Sequence, residues 1–243
     1  MTIHTLKTPE AINQLASTII ADVVLHKPTA VLGLATGSSP LGTYAELINK
    51  NLDFSQVSTY NLDEYVGLEP TNPQSYHHYM QTNLFDHLNI DPANTHIPNG
   101  KAHDPHQEAL AFEQKIQATG GVDVQLLGIG ENGHIGFNEP DDVFRMETFV
   151  TALTPSTIAA NARYFDQPSD VPTQAITMGI GTIMRAKKIV LIATGAKKAD
   201  AIAGLINGNI DPQLPASILK IHPDVTLILD EVAASQSTPT SLT

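Results

Sequence analysis

What most limits the folds open to this chain is a recurring pair: a short apolar run with almost no charge, then a turn that starts a helix. Residues 30–35 (AVLGLA) run into Thr36-Gly-Ser-Ser-Pro40, after which Leu41 to Asn49 follows helical spacing. Residues 122–129 end in a glycine-rich turn. Residues 188–193 are followed by a helix from Gly195 to Ile206, and residues 225–229 form a last such run. Runs of this length and composition read as buried strands. Other segments fit between them. Thr8-Pro9-Glu10 starts a helix that Pro28 stops, residues 57–62 form a strand ending at Asp63-Glu64-Tyr65, and residues 72–76 open a helix to about Leu88. Asp104-Pro105 begins another helix, ending at Thr119-Gly120-Gly121, and residues 174–178 read as a further strand. Alternating strands and helices predict an α/β fold: one Rossmann-like domain with a mostly parallel twisted sheet and helices on both faces.

Composition narrows the function. The chain has 243 residues, 42% of them hydrophobic, enough for one large core, and no repeat or low-complexity linker divides it. We read residues 1–243 as a single catalytic domain, with a loose Ser/Thr-rich tail over about 233–243. A formal charge of −12 argues against a nucleic-acid partner, which requires clustered Lys and Arg, but not against a small phosphate. The absence of cysteine excludes disulfides, thiolate metal sites and a cysteine nucleophile. No signal-peptide or membrane-length apolar run is present, so the expectation is a cytoplasmic protein without a membrane partner. No pair of histidines has convincing metal-ligand spacing, so no catalytic metal is expected.

Three polar segments sit at predicted strand ends, where α/β proteins place their chemistry. In the first, Gly37, Ser38, Ser39 and Thr43 surround a helix start and offer backbone N–H groups and hydroxyls to an anion, best a phosphate. The alternative is a well-capped helix in which Ser39 is only the cap. In the second, Asp63 and Glu64 point in different directions, so at most one enters a pocket, where it can move a proton between neighbouring carbons of a sugar. The alternative there is a carboxylate capping the next segment. The third is residues 126–140, with Gly128, Gly130, Gly133 and Gly136 spaced among Glu131, Asn132, His134, Asn138 and Glu139. His134 can both give and take a proton near neutral pH, Glu139 can orient it, and Asn132 can fix its tautomer. Arg163 and Lys198 are the cations best placed for a phosphate, each with an alternative as a plain surface charge. His77 and His78 share a helix with Tyr76 and Tyr79, where packing is the default reading.

On these residues the chain resembles the glucosamine-6-phosphate deaminase family over about residues 3–230. The carriers are GLATGSSP (33–40), NLDEYVGL (61–68), QSYH (74–77), GIGENGHIGFNEP (128–140), NARYF (161–165) and TMGIGT (177–182). The resemblance implies isomerisation with deamination of a small-molecule sugar phosphate, without a cofactor. Asp63 would be the C2-to-C1 proton carrier, and His134 the ring-opening acid/base with Glu139 as its partner. Ser38, Ser39, Arg163 and Lys198 would clamp the phosphate, and residues of about 154–172 would form a lid. Some members carry Asp where this chain has Asn132, so a hydrogen-bonding role is expected there. The basic effector residues of the allosteric hexameric branch have no counterpart at Phe149-Val150-Thr151, which implies a non-allosteric monomer. Two other readings remain at this stage: 6-phosphogluconolactonase, and a sugar-phosphate sensor of the same fold.

Overall fold

A computed structural model of the chain describes residues 1–154, 158, 162, 165, 167 and 170–237. The first helix shows how local chemistry sets the elements. Thr8 Oγ1 accepts the Ala11 N–H at 3.2 Å and Pro9 takes the first helical position, opening α1 (Pro9–His26). Ile12, Ala16, Ile20 and Val24, spaced at i and i+4, form its buried stripe. The main sheet contains β1 (Thr2–Leu6), β2 (Val31–Leu34), β3 (Ser58–Asn61), β5 (Thr95–His96), β6 (Val124–Leu127), β9 (Lys188–Ala193) and β10 (Val225–Asp230), in the order β1-β10-β9-β6-β2-β3-β5. Every pairing in it is parallel.

Alternation along the strands feeds two apolar layers. Val190 and Ile192 of β9 and Ile228 of β10 face one layer, with α1, α2 (Leu41–Asn49) and α3 (Tyr76–Asn83). Ile189, Leu191, Leu227 and Leu229 face the other, with α4 (Pro105–Ala118), α5 (Ile180–Met184) and α6 (Ala199–Asn207). A strand buried on both faces has no polar side to show, which is why these runs lack charge. In the middle, β2 and β6 pair closely: a methyl on Gly33 would lie 2.0 Å from Gln125 Oε1, so any side chain there would displace the end of the Gln125 side chain.

The structure differs from the sequence expectation beyond Leu62. There the chain leaves the main sheet and forms β4 (Asp63–Tyr65), which pairs antiparallel with β8 (Gln174–Thr177), itself antiparallel to β7 (Phe149–Ala152). The Met178 N–H donates to the Leu62 carbonyl at 2.7 Å, joining this small sheet to the point of departure. On the outer side, buried Glu113 of α4 accepts from the Thr148 N–H and the Thr148 and Thr182 hydroxyls, and pairs with Arg185. That carboxylate fixes the start of β7 against α4. Of the tail expected over about 233–243, the described part begins held in place, with Ala233 fully buried and its N–H donating to Asp230, and residues 238–243 lie outside the described residues.

Topology places the site. After β2 the chain builds β3 and β5 on one side, then returns to lay β6 on the other. The connections leaving β2 and β6 therefore diverge, and a crevice opens at the carboxyl ends of these two strands.

Candidate active site

That crevice is a cavity of about 250 Å³, near the lower end of the range for small-ligand sites. One wall is the turn after β2, including Gly37, Ser38 and Ser39. The opposite wall carries Gly130, His134 and Gly136, and Asp63 and Tyr76 complete it. The three polar segments of the sequence thus meet in one place.

The turn after β2 keeps its N–H groups for a guest. Helix α2 begins at Pro40 without a side-chain cap, so Ser39 does not cap it, and Gly37 has φ 89°. Two tyrosine hydroxyls hold the carbonyls of the turn: Tyr44 donates to Ala35 O at 2.5 Å and Tyr79 to Gly37 O at 2.6 Å. With those carbonyls engaged, the donors of the turn and of the first turn of α2 remain for an anion. Ser39 Oγ faces Gly128, lying 3.4 Å from where a methyl there would be. Thr43 departs from the sequence expectation. It is fully buried and its hydroxyl points to Asn13 Oδ1 of α1 at 3.5 Å, so it packs helix on helix rather than facing the cavity.

Asp63 is only 6% exposed. Gly136, in the left-handed region at φ 58°, brings its backbone close: a methyl on it would lie 3.5 Å from Asp63 Oδ2 and 3.0 Å from Thr177 Oγ1. Burial, with the charge of neighbouring Glu64, pushes the Asp63 carboxyl up to about 8. Glu64 turns the other way, as alternate residues on a strand must. Its Oε1 accepts the N–H of Tyr65 at 2.8 Å and of Tyr76 at 3.0 Å, and its Oε2 the N–H of His77 at 3.0 Å. Glu64 therefore receives the N-terminus of α3 and sets Tyr76 against the cavity.

His134 reaches the cavity by a different construction. Its ring lies over Gly130, where a methyl would come within 2.2 Å of Nδ1. Asn132 Oδ1 receives both the His134 backbone N–H at 3.2 Å and His134 Nδ1 at 2.7 Å, while Asn132 Nδ2 donates to Glu139 Oε2 at 2.7 Å. A backbone N–H can only donate and a carboxylate only accepts, so both ends fix the same orientation of the amide. An amide oxygen cannot donate, so Nδ1 carries the hydrogen, which leaves Nε2 as the nitrogen free to exchange a proton. Glu139 Oε2 also lies 3.4 Å from Nδ1.

Lys198 ends a short 3₁₀ turn (Ala196–Lys198) after β9 and borders an adjoining hollow of about 450 Å³ that shares Gly37, Ser38, Tyr76 and His134 with the cavity. Burial lowers its pKa, against the opposing pull of Glu131. Its neighbour Lys197 turns outward to Glu131 at 3.3 Å. Arg163 and most of the expected lid segment, about 154–172, lie outside the described residues. Among the described residues, no group of three or more His, Cys, Asp or Glu is arranged to hold a metal, and no helix is long and apolar enough to cross a membrane.

Residues 7–228 match the family model described as glucosamine-6-phosphate isomerases/6-phosphogluconolactonase. The chain belongs to that family. Within it, a glucosamine-6-phosphate deaminase from Clostridium novyi (strain NT) is 55% identical over 240 residues, covering 97% of this chain and all of the relative. One from Alkaliphilus oremlandii (strain OhILAs) is 52% identical over 239 residues, covering 97% and 99%. A solved structure of a monomeric glucosamine-6-phosphate deaminase is 47% identical with a TM-score of 0.94, covering 97% of this chain and all of that one. The 6-phosphogluconolactonase of Thermotoga maritima shares the fold at a TM-score of 0.77 with 15% identity, covering 94% and 99%.

Tyr76 and Tyr79, which share a helix with His77 and His78, both serve the site: Tyr76 lines the cavity and Tyr79 holds the Gly37 carbonyl. Tyr76 stands in the QSYH motif (74–77), but the partner of Tyr79, the Gly37 carbonyl, comes from a segment 42 residues away and leaves no mark along the chain.

Proposed function

We propose that the protein is a glucosamine-6-phosphate deaminase, converting D-glucosamine 6-phosphate and water into D-fructose 6-phosphate and ammonium. The observation that carries this reading is the pairing of two different proton carriers on one cavity: buried Asp63, raised to about 8, and His134, whose Nε2 is left free by Asn132. A reaction that opens a sugar ring and then moves a proton between adjacent carbons needs one carrier for oxygen and one for carbon.

His134 Nε2 takes the proton of the anomeric hydroxyl and returns it to the ring oxygen, opening the ring, while Asn132 and Glu139 hold the imidazole. Asp63 removes the C2 proton of the open-chain amino aldose while the aldehyde oxygen takes a proton from the C2 ammonium, leaving an enolamine, and Asp63 then delivers its proton to C1. The product is a ketiminium at C2. Water adds to that carbon and the C–N bond breaks, giving the ketose and ammonia, which leaves as ammonium after taking a proton. A carboxyl near 8 suits this work, because a base must be strong enough to attack a carbon acid yet release the proton again. Gly37, Ser38, Ser39 and Lys198 hold the phosphate, with Arg163 as a second cation from a lid of about residues 154–172. The enzyme acts in the cytoplasm as a non-allosteric monomer whose partner is the small-molecule substrate; a hexamer by light scattering or a sigmoidal rate curve would overturn that part.

The test is an assay of purified protein with glucosamine 6-phosphate and no added metal or cofactor, following both products. Fructose 6-phosphate and ammonia in equal amounts are expected. Tight binding without either product would instead favour a sensor, and hydrolysis of 6-phosphogluconolactone without deamination would favour a lactonase.

A further inference from the structure

The side chain of His77 has no part in the chemistry above, yet it touches the group that lies against Asp63. Its Nδ1 is 2.9 Å from Glu64 Oε2, and among the described residues it supplies the one side-chain hydrogen bond that Glu64 receives. The other three contacts to that carboxylate are backbone N–H groups. Glu64 is 1% exposed, whereas the His77 side chain is 31% exposed and borders an outer hollow on the far side of α3. The imidazole therefore stands between a sealed carboxylate and solvent.

We propose that His77 is a positioning residue for Asp63: its hydrogen bond to Glu64 sets how much of the Glu64 negative charge reaches the carboxyl that carries the substrate proton. A carboxylate acts only as acceptor here, so Nδ1 donates and its positive end offsets part of the charge. Asp63 and Glu64 are adjacent on β4, both buried, and in such surroundings a change in one charge is felt strongly by the other. Few other groups compete. Tyr76 of α3 and His134 of the loop after β6 face the same cavity as Asp63, and β8 presents Thr177, which does not titrate. On the outer hollow His78 is the other titratable group. The proposal takes the task of Asp63 from the function proposed above, but the contact chain His77–Glu64–Asp63 does not depend on the substrate.

The test follows the Asp63 carboxyl directly. Protein labelled with ¹³C at aspartate carboxyls is titrated without substrate, and Asp63→Asn assigns the signal. His77→Phe removes the donor and should move the Asp63 titration upward by about half a pH unit or more. His77→Asn, which keeps a donor near the Nδ1 position, should restore most of it. Three of the four donors to Glu64 are backbone groups, so the start of α3 survives either change; His77→Ala serves if the Phe variant does not fold. Among active variants, the low-pH limb of kcat/KM should move with the carboxyl signal. Titrations that overlay in folded wild type and His77→Phe would overturn the proposal, whereas an inactive wild type would overturn the deaminase reading and leave this titration informative.

Discussion

The two side chains proposed as proton carriers are built into the cavity in opposite ways. Asp63 sits on a three-residue strand, sealed to 6% exposure, and gains its proton affinity from burial and the neighbouring charge of Glu64. His134 sits on a glycine-rich loop, 28% exposed, and is controlled by a hydrogen-bonded line through Asn132 to Glu139 at 10% exposure. One is tuned by removing water, the other by fixing which nitrogen holds the hydrogen. The difference fits the demands of each step. Abstracting a proton from carbon calls for a base stronger than an ordinary carboxylate, whereas shuttling a proton between two oxygens calls for the right tautomer in the right place.

The comparison breaks most sharply at Asp63. Asp63→Asn keeps the shape and removes the base, and turnover should fall at least about 10³-fold while the sugar phosphate still binds. Steady-state kinetics with binding calorimetry would check this; retained turnover would remove Asp63 from carbon chemistry. The same variant should be more stable than wild type. The native protein holds a proton that the unfolded chain releases above the ordinary aspartate value of 3.8, so the native state is favoured most below that value and loses ground as pH rises towards about 8. The gain from Asp63→Asn should therefore grow with pH across that window, as read from Tm at several pH values.

His134→Gln should cost less, about 10²-fold in kcat, because sugar rings also open slowly in water. The line through Asn132 offers a finer probe. Asn132→Asp places a carboxylate against Nδ1, which favours the charged imidazole, so the limb of the pH profile belonging to His134 should move to higher pH. A profile identical to wild type would mean that Asn132 only holds the loop.

The pH profile itself separates the two constructions. A base must be ionised, so kcat/KM should climb as pH rises towards about 8, the value for Asp63 in the free enzyme. The amino group that the substrate carries on C2 is a cation next to this carboxyl, and a cation lowers a carboxyl pKa. The corresponding limb of kcat should therefore lie at lower pH than that of kcat/KM. Coincident limbs would place the amino group away from Asp63.

How much of this was legible in the sequence depends on where each residue finds its partner. β2, β6, β9 and β10 show as apolar runs, with charge only at the ends of β9 (Lys188) and β10 (Asp230), because both faces are buried. β1, an edge strand with most of its residues exposed, and β7, only half covered, leave no such run in the sequence. β4 has three residues, all capable of polar contacts, and becomes a strand only through its pairing with β8. The site divides the same way. His134, Asn132 and Glu139 lie within one loop and could be read together, and the hydroxyl turn after β2 announces itself by composition. Glu64 becomes a helix cap only through Tyr76, twelve residues on, and Thr43 turns to Asn13, thirty residues back, as a result of helix packing.

Tyr79 supplies the smallest and most specific effect, on the wall that neither proton carrier touches. Its hydroxyl donates to Gly37 O from a helix 42 residues further along the chain. Tyr79→Phe leaves the ring in place and frees one carbonyl of the turn proposed to hold the phosphate, which can then swing towards that phosphate and repel it. The loss of one hydrogen bond of this kind is worth about 1 kcal/mol, so KM should rise roughly fivefold. Because the phosphate is held equally in substrate and transition state, kcat should stay within about twofold of wild type. A matching fall in kcat would show that the turn also positions the sugar for Asp63 and His134, and the cavity would then act as one unit rather than as a phosphate clamp beside two independent proton carriers.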